Sequence, residues 1–328
     1  ECSFCSFLFL CERLMGDILS LTIPFFGIIL LGAFSRSSRF FDEQAGRILA
    51  RFAFFVVLPA FMFVSITSAP VSEVANPHFI LRYEAVTIII FALGIVFATR
   101  ILGLSGRSSG IFALNATYPN YGYIGVPLAI LAFGEGAVVP MSVILVCDSI
   151  MLLLLTAIFT RDKGSGDLSS ALVQMLRSMS RNPLLLSVLT GFIFSASGLT
   201  LPQMPIFFLD MLAGAAAPTA LFALGITLVG QPIRSARAEL GTITILKLVI
   251  HPLLMAAVML TMPGLDMLWI QTAILFACLP VAANVFALSE FYQAYSGRTA
   301  TSIMLTTLIA SVSVPATLYA LTMLGKAG

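Results

Sequence analysis

The 328 residues predict an all-α integral membrane protein with ten transmembrane helices, arranged as a 5+5 inverted repeat in which helices four and nine are crossed and broken. Three observations carry this expectation. The chain is 59% apolar and only 10% charged, against about 25% charged in an ordinary soluble domain; so little charge cannot cover a water-facing surface. Ten apolar runs approach the roughly 20 residues that a bilayer span needs. Two of those runs, at corresponding places in the two halves, are interrupted by Pro, Gly and Asn.

The runs are 17–34, 46–67, 79–99, 110–133, 137–160, 183–200, 206–229, 239–261, 267–290 and 299–324. Short connections rich in Gly, Pro and Ser separate them, such as SRSSR (35–39), GLSGRSSG (103–110) and GQPIRSAR (230–237). The longest connection, 161–182, is polar and contains GSG. It divides a first five-helix repeat (15–160) from a second (183–328). Residues 1–14, ECSFCSFLFLCERL, lack a basic leader and a small-residue cleavage site. With Met15 reading as a natural start, they are expected to be upstream or non-native sequence.

Five cysteines (2, 5, 11, 147 and 278) are too few and too scattered for a disulfide framework. Cys2 and Cys5 form a CxxC that no second pair or His cluster completes, so neither a metal nor a cofactor is expected. A net charge of +2 implies no nucleic-acid partner.

Orientation follows from where the basic residues fall. With the N-terminus outside, thirteen of the 17 Lys and Arg lie on or beside the cytoplasmic loops, among them Arg36, Arg39, Arg47, Arg51, Arg177, Arg181, Arg237 and Arg298. Arg13, Arg82 and Lys326 fall on the other face, and Lys247 lies within a span. This positive-inside bias places both termini outside. Five spans per half also require the halves to insert with opposite orientation, the signature of an inverted repeat. An offset of 159 carries Pro24 and Gly32 of run one onto Pro183 and Gly191 of run six, and Pro59 of run two onto Pro218 of run seven.

Run four contains YPNYGYIGVP (118–127), with Pro119, Asn120, Gly122, Gly125 and Pro127 inside one stretch. Run nine contains CLPVAANVF (278–286), with Pro280 and Asn284. An interior Pro costs a helix about 3 kcal/mol and a Gly about 1, and unpaired backbone at membrane depth is tolerated only where it is buried or lines a cavity. A simple kink is the bland alternative at each break. Half-helices that begin at mid-membrane present free N–H groups and a positive dipole end, a ready site for an anion. Asn120 and Asn284 stand at the breaks with donors and acceptors suited to a carboxylate; capping a helix end would occupy the same groups.

Among ionisable residues, Asp148 lies mid-span in LVCDSIML, where a charged form is costly. It can couple a proton, brace the break or remain a neutral structural group. Lys247 and His251 share one face of run eight, four residues apart. Lys247 can pair with Asp148, attract an anion or snorkel to the interface; His251 can relay protons or simply hold helices together. Glu84, Asp210 and Glu290 are expected near span ends, in water. Ser311, Ser313 and Pro315 form a polar, bent stretch that either lines a cavity or packs on a neighbour. No HExxH, GxSxG, P-loop or nucleotide-binding signature occurs, so no enzyme activity is expected.

The motifs NYGYIGVP (120–127) with FGEGA following, LKLVIHPLL (246–254), and ACLPVAANVF (277–286) followed by Tyr292 resemble the auxin efflux carrier family. That family includes bacterial malonate and dicarboxylate transporters and the plant PIN-FORMED proteins, and the resemblance covers 15–328. It implies a secondary active transporter of small organic anions, malonate- or malate-like or auxin-like acids, in a bacterial inner membrane. It also implies an elevator-like movement against a scaffold of spans one, two, six and seven. Pro119, Asn120, Pro280 and Asn284 match the family's crossover and substrate positions, and Tyr121, Gly122 and Gly125 lie in the same motif. The acid–lysine pair of plant members has no counterpart in run three, where Glu84 is followed by Ile88. A proton or sodium is the expected coupling ion, and a homodimer is compatible with the reading. The alternatives are a sodium-coupled carrier of the bile-acid-symporter type and a channel or substrate-sensing membrane protein.

Overall fold

The computed structural model describes residues 23–24, 26–67, 76–104, 106–159, 173, 177, 180–181, 183–199, 201–229 and 237–327. The segment 1–14, most of 161–182 and most of GQPIRSAR lie outside them. Among the described residues the secondary structure is helical, apart from a single isolated β-bridge between Pro119 and Val281. The helices are α1 (Phe26–Ser37), α2 (Glu43–Thr67), α3 (Pro77–Arg100), α4 (Arg107–Thr117), α5 (Tyr121–Phe133), α6 (Val138–Phe159), α7 (Pro183–Ala196), α8 (Gln203–Leu228), α9 (Arg237–Met259), α10 (Met267–Ala277), α11 (Asn284–Phe291) and α12 (Ser296–Ala327).

Six of the helical stretches are long and apolar enough to cross a membrane: α2, α3, α8, α9, Glu135–Thr156 about α6, and Ser296–Leu324 within α12. Shorter apolar helices are α1, α5, α7 and α10. Large side chains such as Phe207, Phe208 and Met211 of α8 are exposed, as an apolar solvent permits. The fourth and ninth apolar runs each yield two helices rather than one, α4 with α5 and α10 with α11.

Local chemistry sets the helix ends. Asp42, Asn76 and Asp266 cap α2, α3 and α10 by accepting the backbone N–H of Ala45 (2.7 Å), Phe79 (3.0 Å) and Leu268 (2.8 Å). Three five-residue π-turns, Ala53–Val57, Tyr121–Gly125 and Leu246–Ile250, each end two positions before a proline: Pro59, Pro127 and Pro252. Proline lacks an N–H and its ring displaces the carbonyl four residues back, and the wider turn accommodates both.

The helices associate in two sets. In the first, α2 packs on α7 and α8. Gly32 of α1 rests on the carbonyl of Phe222 and on Gly225 of α8, and a Cβ at Gly225 would collide with the Ile29 carbonyl. Gly191 of α7 meets Ile66 and the Phe63 carbonyl of α2, at 3.1 and 3.4 Å from an added Cβ. The offset of 159 relates Gly32 to Gly191, Phe63 to Phe222 and Ile66 to Gly225, so the two contacts correspond residue by residue. In the second set α3 packs on α4 and α9, and α9 on α10. At one end of it Glu239 of α9 accepts from the Tyr295 hydroxyl and from Arg298 (2.7 Å), tying α9 to the start of α12. Burial, then the bond to Glu239, pushes the Tyr295 hydroxyl up from its ordinary value.

Candidate functional site

The two interruptions meet back to back. After Thr117 the chain leaves the helix for three residues, and Asn120 donates its backbone N–H to the Pro280 carbonyl (3.0 Å). In return Ala282 donates to the Tyr118 carbonyl (3.0 Å). This reciprocal pair is the antiparallel bridge Pro119–Val281. Backbone that neither helix can satisfy is thereby satisfied by the other break. A third support comes from α12, where the Thr306 hydroxyl accepts from the Val281 N–H (3.1 Å).

Helices start from this junction. Asn120 accepts the Tyr123 N–H on Oδ1 (3.3 Å), and its carbonyl accepts from Ile124 and Gly125 (3.3 and 2.9 Å), so Asn120 initiates α5. Asn284 is the first residue of α11. Two helix N-termini thus lie beside one narrow cavity, about 370 Å³ when all the space between its atoms and the solvent at its mouth are counted. Its polar lining is Tyr118, Asn120, Tyr121, Tyr123, Ser149 and Asn284; Phe54 of α2 and Leu184 of α7 close it from the first helix set. Asn120 is 2% exposed, and its Nδ2 has no hydrogen-bond partner; the buried Tyr121 hydroxyl has none either. The Tyr121 ring packs edge-on against Tyr118 (centroids 5.7 Å apart) and tilted against Phe276 (5.4 Å).

A family profile described as membrane transport protein matches residues 17–318. The chain belongs to the auxin efflux carrier family. This member is 34% identical to a protein of Rhizobium meliloti (strain 1021) named "Putative malonate transporter", over 93% of its own length and 96% of that protein's. It is 24% identical to the proteins of Escherichia coli (strain K12) and Shigella flexneri named "Uncharacterized transporter YfdV", with the same coverage. It is an integral membrane protein of a transporter family.

Within this auxin efflux carrier relative, the residues singled out from the sequence fall into three groups. Asn120, Tyr121, Gly122 and Asn284 line the cavity with Pro119. Gly125, Pro127 and Pro280 do not; they shape the junction. A Cβ at Gly125 would come 2.7 Å from the Leu279 side chain, whereas at Gly122 the nearest atom is 3.7 Å away. Pro127 lies inside α5 just after the Tyr121–Gly125 π-turn, whose wider hydrogen-bonding accommodates its ring and missing N–H.

The third group, Asp148, Lys247 and His251, lies behind the cavity wall, fully buried. Lys247 neither snorkels nor forms an ion pair with Asp148. Its ammonium donates to the Ala277 carbonyl (2.9 Å), the last of α10, and lies 3.3 Å from His251 Nδ1. A cation at a helix C-terminus answers the negative dipole end, and this contact defeats a direct pair with Asp148.

Glu84 corrects a second expectation. It is 6% exposed rather than in water, and both its carboxylate oxygens are buried without a partner. The Tyr83 hydroxyl and both oxygens of Asp148 likewise make no hydrogen bond of standard geometry, with Thr87 the hydroxyl that faces Asp148. Asp148 acts electrostatically on Tyr83, Glu84, Tyr118 and Lys247. Asp210 is exposed, as expected. Ser311, Ser313 and Pro315 are not among the residues that line the cavity. Sequence reasoning also missed Thr306 and the buried Asn115, whose Nδ2 donates to the Thr299 hydroxyl (2.9 Å). Thr299, Ser302 and Thr306 recur at helical spacing along α12, a polar stripe in an apolar run, and that signal was available.

Proposed function

We propose that this protein is a secondary active transporter of small organic anions, malonate- or malate-like carboxylates or auxin-like acids, working by elevator-type alternating access. The observation that carries the reading is the junction itself: two helix N-termini lie beside one cavity, whose lining includes Asn120 with its buried, unpartnered amide nitrogen. Helix N-termini hold anions without a cationic side chain. In this reading α4 with α5, and α10 with α11, are the broken fourth and ninth of ten spans in a 5+5 inverted repeat. The residue-by-residue correspondence of the Gly32 and Gly191 contacts at an offset of 159 supports the repeat. A cavity walled by Phe54 and Leu184 on one side, and by the junction on the other, supports movement of one helix set against the other.

The membrane is then the bacterial inner membrane, with both termini outside. The oxygen-rich cluster of Tyr83, Glu84, Thr87 and Asp148 is the proposed seat of a coupling proton or sodium ion, with Lys247 holding the end of α10. The malonate named for the Rhizobium meliloti relative is the first substrate to try.

The test is counterflow uptake by purified protein in proteoliposomes over a panel of mono- and dicarboxylates. Accumulation of one acid without an imposed ion gradient is expected. Asn120→Ala and Asn284→Ala are expected to lower it about tenfold or more at unchanged melting temperature, the loss of a hydrogen bond to a charged group. Normal transport by both variants sinks the crossover site. Net uptake of a monocarboxylate, which carries no proton of its own, is expected to lose its proton- or sodium-gradient drive in Asp148→Asn while counterflow persists.

A further inference from the structure

The described lining of the cavity offers hydrogen-bonding groups and no formal positive charge, although Tyr118 and Ser149 are paired with each other (3.4 Å) and Tyr123 donates to the Ala50 carbonyl (3.3 Å). Its described lining holds three phenols, two amides and a serine hydroxyl, but no Lys, Arg or His. Positive potential there comes from the N-termini of α5 (13 residues) and α11 (8 residues). Each is equivalent to at most about half an elementary charge, reduced where Tyr121, Tyr123, Val285 and Phe286 already donate their N–H to Pro119, Asn120, Ala282 and Ala283, so together they answer no more than one negative charge. The buried, unpartnered Asn120 Nδ2 and Tyr121 hydroxyl supply two donors for the same acceptor.

Behind the wall the balance is opposite. Glu84 and Asp148 stand against one buried cation, Lys247, whose ammonium is already engaged by the Ala277 carbonyl and His251. Asp148 precedes Ser149 and acts on Tyr118, and both of those line the cavity. A second negative charge on a ligand would meet no Lys, Arg or His of the described lining, beside a wall that holds Asp148 next to the lining residue Ser149.

We infer that the cavity takes its ligand as a monoanion: a monocarboxylate, or a dicarboxylate with one carboxyl protonated, the dianion being rejected. The inference rests on the carboxylate-carrier reading above and specifies the charge state of its substrate. One carboxylate lies at the helix N-termini with Asn120 and Tyr121. The protonated carboxyl is neutral, both donor and acceptor, and matches the Ser149 hydroxyl and the Asn284 amide. Carriage of a dicarboxylate then brings one proton with it as part of the substrate, separate from any ion held at the Asp148 cluster.

The titratable groups about the ligand are Tyr118, Tyr121 and Tyr123 in the lining, and behind them Tyr83 and Glu84 of α3, Cys147 and Asp148 of α6, Lys247 and His251 of α9, and Cys278 at the end of α10. Their titration acts on any anion in the cavity, so a comparison of two anions cancels it. Malonate and malonamate make that comparison, since the amide replaces one carboxyl and leaves a monoanion at every pH used. Counterflow of each is measured in proteoliposomes at fixed total concentration, across and above the second ionisation of malonate.

The malonate rate is expected to fall about tenfold per pH unit above that ionisation, following the monoanion fraction, while malonamate changes less than about twofold. Exchange of external malonate for internal malonamate is expected to ignore an imposed membrane potential, because the exchanged species carry equal charge. A malonate rate that parallels malonamate, rejection of malonamate with malonate carried, or an exchange driven by potential would each overturn the monoanion inference and leave the carrier reading intact. No counterflow of malonate, malonamate or any acid of the panel, by protein that is folded and inserted, overturns both.

Discussion

Gly225 of α8 and Asn120 at the head of α5 both sit deep in the protein, in surroundings of opposite character. Around Gly225 the backbones of α1 and α8 touch, with Ile29 and Ala33 where a side chain would go. Such an interface depends on dispersion between closely approaching backbones, the way helices associate when lipid removes the hydrophobic drive between them. Around Asn120 backbone needs are met by an exchange between the two breaks, and side-chain needs are not: Asn120 Nδ2, the Tyr121 hydroxyl, Glu84 and Asp148 are buried without standard partners. Native interiors leave few polar groups in that state. The contrast separates a region of tight backbone contact from one whose buried polar side chains lack partners.

Three substitutions probe the contrast, in decreasing order of effect. Gly225→Leu forces a side chain into the Ile29 carbonyl and is expected to destabilise by about 3 kcal/mol or more, seen as loss of monodisperse protein in detergent or a sharply lower melting temperature. A normal melting temperature would show that the two helices separate freely. Lys247→Met is next: it keeps the aliphatic stem but removes the donor to the Ala277 carbonyl and the positive charge near Asp148. A loss of about 2 kcal/mol in thermal stability is expected, together with slower counterflow; unchanged values for both would remove Lys247 from the support of α10. Gly122→Ala is the mildest, since the nearest atom to an added Cβ is 3.7 Å away. Stability within about 0.5 kcal/mol of the parent is expected, with any change confined to the affinity for substrate.

Much of the helical plan was legible in the sequence, because apolar length and Pro or Gly punctuation are local properties. Pro119 with Asn120, and Pro280 with Asn284, announced two interruptions, and Asp148 declared itself by lying in an apolar run. The π-turns before Pro59, Pro127 and Pro252 are not read from apolar run length, since they depend on how each helix absorbs the missing proline N–H. Glu84 was misplaced for a physical reason: its distance from the end of its run suggested water, whereas burial is set by what packs on α3, namely α4 and α9. Lys247 was offered Asp148 as a partner on charge alone, whereas a carbonyl at the end of α10, 30 residues along the chain, lay within reach and took the ammonium.

Composition, run lengths and the spacing of prolines by themselves determined a membrane-spanning, all-helical chain with two interrupted runs, since each of these follows from the cost of a polar backbone in lipid. Only the tertiary structure decided that the two interruptions satisfy each other through Pro119 and Val281. Only it decided that Gly32 and Gly191 find corresponding partners, and that Glu84, Asp148 and Lys247 gather behind one cavity wall. Those are contacts between residues far apart in the chain, where hydrogen-bond geometry and close packing choose among many partners that charge and hydropathy leave equivalent.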